Sequence, residues 1–254
     1  MTGWSCSMSM TRSSRSTGTP SRVGGSATRG CGGLNALLTT LSAGAAPVIV
    51  AQRLRKGSCG SPRGAVRLIT DALAQTGRLL AGGAGQGARR VLLRADSAFY
   101  GGDIVAAARA GGAQVSITVR LDSSVTKTIA MIAPDAWTTI DYPEAIRDED
   151  SGQWISRAEV AEIPYTAFTS RIKAKHVTGR LVVRRIPDLN TRTACGQDTL
   201  FDTWRFHAFF TTTSAEDLDT VAADKTHRGH AIIEQVNADL KGSALAHLPD
   251  VIWS

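Results

Sequence analysis

Residues 91–121, VLLRADSAFYGGDIVAAARAGGAQVSITVRL, constrain the fold of this chain more than any other stretch. Val91 to Ala95 is a short apolar run of the kind that forms a buried strand. Asp103 is placed to cap a helix over IVAAARA, and Gly111–Gly112 end it. Val115, Ile117, Val119 and Leu121 then alternate with polar residues, which predicts a second strand. A strand–helix–strand crossover of this length implies an α/β protein. It also puts Asp96 at the carboxyl end of the first strand, where open α/β sheets carry their functional groups. The plain alternative is that Asp96 only caps the turn that follows it.

On the amino-terminal side, GLNALLTTLS and VIVAQRL predict two strands of a hairpin, joined by the turn-forming SAGAAP. SPRGAVRLITDALAQTGRLLAGG has helical spacing and ends in glycines. GGAGQGARR precedes a strand instead of following one, so it lacks the geometry of a phosphate-cradling loop and is expected to be a connection. Residues 135–205 differ in character. WTTIDYPEAIRDEDSGQWISRAEV is acidic and turn-rich, whereas GRLVVRRI and WRFHAFFTTT predict strands. This region is expected to be a β-rich insertion and its return strands. Trp137, Trp154 and Trp204 lie within it, with core packing and base stacking as the two roles open to them.

Near the other end, HRGHAIIEQVNADLK (residues 227–241) predicts an amphipathic helix. At about 100° per residue, His227, His230, Glu234 and Lys241 fall within roughly 60° of arc, with Ile232, Ile233, Val236 and Leu240 on the far side. A solvated face would have this composition, and so would the wall of a charged site.

Charge is unevenly placed. The first 70 residues hold nine of the 29 Arg and Lys residues and none of the 22 acids, so the net +7 comes from a basic segment on a near-neutral body. Such a segment fits a polyanion such as nucleic acid. Residues 1–33 are rich in Ser, Thr, Arg and Gly and show almost no apolar periodicity. They are expected to be a disordered or non-native basic tail, as translation from a wrong start or frame would produce. The four cysteines are scattered and form no metal or disulfide pattern. The apolar stretch from Leu34 is too interrupted to span a membrane.

With RADSAFY after a strand and HRGHAIIEQVNADLK on a late helix, the chain resembles bacterial insertion-sequence transposases of the DDE class. The resemblance covers roughly residues 33–248. Arg94, Asp96, Ser97 and Phe99 match the setting of the family's second catalytic Asp. Glu234 matches the third acid and Lys241 the lysine of a Tyr-x2-Arg-x3-Glu-x6-Lys signature, in which His227 and His230 replace Tyr and Arg and Arg228 lies nearby.

The resemblance implies an α/β fold: a ribonuclease-H-like mixed sheet flanked by helices, with a β-rich insertion between the second and third acids. The implied domain plan is a tail over 1–33, the first part of the catalytic domain over 34–134, the insertion and return strands over 135–205, and the last strand and helices over 206–254. It further implies two-metal phosphodiester chemistry with Mg²⁺ or Mn²⁺ on Asp96 and Glu234. DNA contacts are implied for Lys241, Arg228, His227 and His230. Element ends and target DNA are the implied partners, with a homodimer and no membrane, in the cytoplasm at the bacterial nucleoid.

The family's first Asp, on the opening strand, has no counterpart, since nothing acidic precedes Asp71. Asp71 lies in a predicted helix, and Asp122 follows the wrong strand. The chain is therefore expected to be inactive in strand cleavage. After GSALAHLPD it ends in VIWS where relatives continue, so both ends are expected to reflect a frameshifted or decayed element. A catalytically dead DNA-binding remnant is the second reading. An unrelated α/β enzyme using Asp96 and a histidine is the third, and no G-x-S-x-G or Walker loop supports it.

Overall fold

Short apolar runs in LNALLTTLS and VIVAQRLRK, with turn formers between them, give the predicted hairpin. In the computed structural model, which describes residues 6–14, 34–42, 46–56, 58–81, 90–147, 154–187, 204–229 and 236, its arms are β2 (Leu34–Ser42) and β3 (Val48–Lys56). They pair antiparallel with a register shift at Thr39/Thr40. The protein is mixed α/β and divides into two units, residues 1–114 with the chain from Gly229 onward, and Val115–Arg228.

In the first unit, β1 (Cys6–Ser14) pairs antiparallel with β2 and parallel with β4 (Val91–Ala95). The strand order is β3-β2-β1-β4. Within the stretch expected to be a disordered or non-native tail, residues 6–14 form this strand. CSMSMTRSS has little strand propensity of its own, but both its edges find hydrogen-bonding partners, and Met10 is fully buried. Context overrides propensity here. The other residues before Leu34 lie outside the described ones.

Helix α1 (Ala65–Ala81) lays Ala65, Leu68, Ile69, Ala72, Leu73 and Thr76 in the core and packs on β2 and β3. Arg55 on β3 is buried and donates to the carbonyls of Gly60, Ser61 and Arg63, which shapes the loop into α1. Helix α2 (Gly102–Ala110) is capped by Gly101, without a side-chain cap bond. Asp103 stands inside the first turn, where its charge favours the helix dipole, instead of at the cap predicted for it. Gly111 and Gly112 end the helix as expected, the latter with φ +77°.

The second unit is an antiparallel sheet in the order β5-β9-β8-β7-β6, with β5 Gln114–Thr118, β6 Thr138–Arg147, β7 Trp154–Ala167, β8 Val177–Pro187 and β9 Trp204–Thr211. β5 stops at Thr118, so Val119 and Leu121, predicted within this strand, lie beyond its end, Val119 buried and Leu121 exposed. The acidic segment read as turn-rich holds two strands, β6 and the start of β7, paired with a shift between Asp141 and Ile146. Pro143 falls in that irregular stretch of an edge strand, one of the few places in a sheet that tolerate proline. Pro164 in β7 pairs with Arg180 of β8 and lies past the last β6 partner, Val160. Helices α3 (Ser123–Ile129) and α4 (Thr220–Arg228) complete this unit, and Asp122 caps α3 by accepting from Ser124 N and Val125 N. Among the described residues no helix is long and apolar enough to cross a membrane.

Candidate functional site

β4 reads VLLRA, and four of its five residues are buried. The strand ends where the chain must return to water, and Asp96 is the first exposed residue after it. Its Oδ1 accepts the backbone N–H of Ala98 at 2.7 Å, capping a short 3-10 turn over Ser97–Phe99. Phe99 closes that turn from within the core. Asp96 therefore does cap the turn, as the plain reading holds, yet a carboxylate has about four acceptor sites and this bond uses one. The rest face solvent at a fixed strand end, where a hard cation or a phosphate-bound water can be met.

The neighbouring strand explains what is lacking. The β1–β4 register runs Ser9↔Arg94 and Met10↔Ala95, so β1 is the opening strand beside Asp96. Along Cys6–Ser14 it carries no carboxylate. Asp71, the nearest acid in sequence to that strand, lies on α1 and pairs with Arg53 at 3.5 Å. Among the described residues no group of three His, Cys, Asp or Glu is arranged to hold a metal ion. Asp96 alone offers a single carboxylate. A bridged pair of ions needs an acid that β1 does not supply.

Arg94 precedes Asp96 by two residues and is only 4% exposed. Loss of hydration on burial lowers its pKa from the usual arginine range to about 10. Gly229 belongs to the same unit and runs against this guanidinium, because a Cβ at 229 would stand 2.7 Å from Arg94 Nη1. The described chain thus ends its helical run with Gly229 against the tip of the Arg94 side chain. His230, Glu234 and Lys241 lie outside the described residues.

The two remaining predicted DNA contacts lie in the second unit, at the end of α4. The His227 ring is half-buried and stacks on Phe209, with centroids 4.0 Å apart and planes 4° from parallel. Its Nδ1 is 2.8 Å from Ser116 Oγ and its Nε2 3.0 Å from Thr118 Oγ1, so both nitrogens have partners on β5. Arg228 donates from Nε to Asp224 Oδ2 at 2.7 Å, and Arg184 approaches the other oxygen at 3.7 Å. A phosphate contact by either residue has to share or replace these bonds.

Of the three tryptophans, Trp137 and Trp204 are half-buried and hold the Arg185 guanidinium between them, 4.1 and 4.3 Å from its carbon. Arg185 also reaches Glu159 at 2.5 Å. One face of each ring is thus taken by a cation, a packing role that sequence spacing does not reveal. The side chain of Trp154 lies outside the described ones.

Arg180 donates to Glu162, to Thr213 Oγ1 and to the carbonyls of Thr213, Ser214 and Leu218, which fixes the turn leading into α4. Thr220 Oγ1 adds a bond to Glu162 at 2.9 Å. Sequence reading missed this clamp. An arginine in a strand with a glutamate 18 positions earlier gives no local signal.

No family model matches the chain, and no curated protein matches it. Among solved structures, that of the NurA nuclease from Sulfolobus solfataricus is similar over 98% of this chain and 86% of the other, at 10% identity and a TM-score of 0.35. That likeness is too distant to bear on the chemistry.

Proposed function

We propose that this chain is of the DDE-class insertion-sequence transposase kind, with a ribonuclease-H-like sheet, and that it binds DNA and does not cleave it. One observation carries the reading: Asp96 leaves β4 beside β1 while the backbone of Gly229 runs against Arg94. The contact of Gly229 with the Arg94 guanidinium supports a Glu234 segment that folds toward the same unit as Asp96. The order β3-β2-β1-β4, with only β1 and β4 parallel, supports the ribonuclease-H-like assignment. Asp96 and Glu234 are the proposed metal ligands, with Lys241, His230, Arg228 and His227 toward phosphate. When bound, Mg²⁺ or Mn²⁺ supplies Lewis-acid stabilisation of phosphodiester oxygens. The chain's own part is to fix the Asp96 carboxylate at the end of β4.

Loss of cleavage follows from β1, whose residues CSMSMTRSS offer no acid. This favours the DNA-binding remnant over the active enzyme. The experiment is nicking of supercoiled plasmid by the purified 254-residue chain with Mg²⁺ or Mn²⁺. No nicking is expected. Thr11 stands one position beyond the Met10↔Ala95 pair, level with Asp96. Thr11→Asp is expected to introduce metal-dependent nicking that a second change, Asp96→Ala, removes. Nicking by the unmodified chain that is lost in Asp96→Ala overturns the inactive assignment. Failure of the chain to bind duplex DNA overturns the transposase reading itself.

A further inference from the structure

Between Glu162 and Asp188 the chain has no acidic residue but carries Arg171, Lys173, Lys175, Arg180, Arg184 and Arg185. Three of these are tied down inside the second unit, Arg180 to Glu162, Arg184 to Asp224 and Arg185 to Glu159. The other three sit together at the turn between β7 and β8, in the exposed run Thr169–Lys175. Among the described residues no ion pair joins Lys173 or Lys175 to an acid.

The turn is firmly rooted. Its last strand pairs are Tyr165↔Gly179, Thr166↔Thr178 and Ala167↔Val177. β6 reaches only to Val160 of β7, and β9 only to Arg180 of β8, so these three pairs extend in register past both neighbours. Ala167 and Val177 are nevertheless buried. Gly179 presses on β9, where a Cβ would meet the Thr211 carbonyl oxygen at 2.3 Å and the Phe210 ring at 2.8 Å.

The tip itself is a defined shape. Phe168 has φ +64°, a left-handed conformation that is unfavourable for a bulky residue and is kept only where the surrounding structure holds it. Arg171 N donates to Phe168 O at 3.0 Å, Lys175 N to Ile172 O at 2.8 Å, and the His176 ring Nε2 to Arg171 O at 2.8 Å. Lys173–Lys175 is one turn of 3-10 helix. At about 120° per residue, Lys173 and Lys175 leave it in different directions. Ile172, 69% exposed, stands at the crown.

We infer that the β7–β8 tip is a docking element for duplex nucleic acid, gripping phosphates on either side of a groove; this rests on the DNA-binding reading above. A two-stranded ribbon fits a major groove of about 12 Å, and cations radiating from its tip then meet phosphates along both walls. A flat anionic membrane engages one side of such a tip and leaves the opposed cation in water.

The test is fluorescence anisotropy of a labelled 30-base-pair duplex with the full chain, as a function of salt. Each lost phosphate contact lowers the slope of log affinity against log salt by about 0.9. Arg171→Gln/Lys173→Gln/Lys175→Gln should therefore lower it by roughly 2–3 and weaken binding at least about tenfold at low salt. Arg171→Lys should leave the slope unchanged, since charge and not guanidinium geometry is used. Should the triple variant fold poorly, Lys173→Gln and Lys175→Gln are each expected to lower the slope by about 1. If the chain binds DNA and these variants keep its slope, the tip is not the contact while the DNA-binding reading stands. If the unmodified chain does not bind DNA, both fall. Binding to vesicles containing 30% phosphatidylserine that the triple variant loses, with DNA affinity unaltered, assigns the tip to membranes and overturns the inference.

Discussion

Asp96 and Asp224 are the same residue type in opposite circumstances. Asp96, at the end of β4 in the first unit, is exposed and accepts one bond, from its own turn. Asp224, within α4 in the second unit, is 2% exposed and lies between Arg228 and Arg184. Burial of a carboxylate is tolerable only when its charge is met on the spot, and here two guanidiniums meet it. The comparison separates a carboxylate that holds a helix in place from one that the fold carries to a strand end and leaves open.

The largest test of that contrast is Asp224→Ala. It leaves Arg184 and Arg228 facing a buried void, and removing one partner of a buried pair costs about 3 kcal/mol. We take the low end because Arg228 is 31% exposed and water screens it. Thermal unfolding should shift down by roughly 10 °C. A shift below about 2 °C would mean that the arginines are hydrated without Asp224, and the contrast with Asp96 would disappear.

A smaller effect is expected about one turn further along the same helix. His227→Phe keeps a flat ring against Phe209 but turns carbon toward Ser116 Oγ and Thr118 Oγ1. Ser116 is 2% exposed, so its hydroxyl loses its histidine partner out of reach of bulk water. A loss of about 1–2 kcal/mol is expected in urea unfolding, through the midpoint with the slope unchanged. DNA affinity that falls in His227→Phe while unfolding is unaffected would return His227 to the phosphate-binding role that the helical spacing suggested.

What the sequence disclosed follows from where the physics is local. The β2–β3 hairpin, α1 and the β4–α2 pair were legible because apolar period, turn residues and glycine stops lie within a few positions of one another. β1 was not, because CSMSMTRSS becomes a strand only when β2 and β4 flank it. The acidic stretch from Trp137 misled for a related reason. Pro143 reads as a strand breaker, but the paired strand tolerates it where its register shifts. At the site, Asp96 was legible as the residue after a buried strand. The partners of His227 and Asp224 were not, since Ser116, Thr118 and Arg184 lie 40 or more positions away.

The smallest effect on stability decides most about function. Asp96→Asn keeps the oxygen that accepts from Ala98 N, and Asn caps a turn about as well as Asp. Stability should change by about 0.5 kcal/mol or less, as for surface positions in general. Only the negative charge is removed, and with it the affinity for a hard cation, so Mn²⁺ binding measured by electron paramagnetic resonance should weaken at least about tenfold. A variant that unfolds as readily as Asp224→Ala would make Asp96 a structural anchor like its buried counterpart. A variant of unaltered stability that binds Mn²⁺ as well as before would show that the ion, if held at all, sits elsewhere. Unaltered stability with weakened binding is the result that an open carboxylate at a strand end requires.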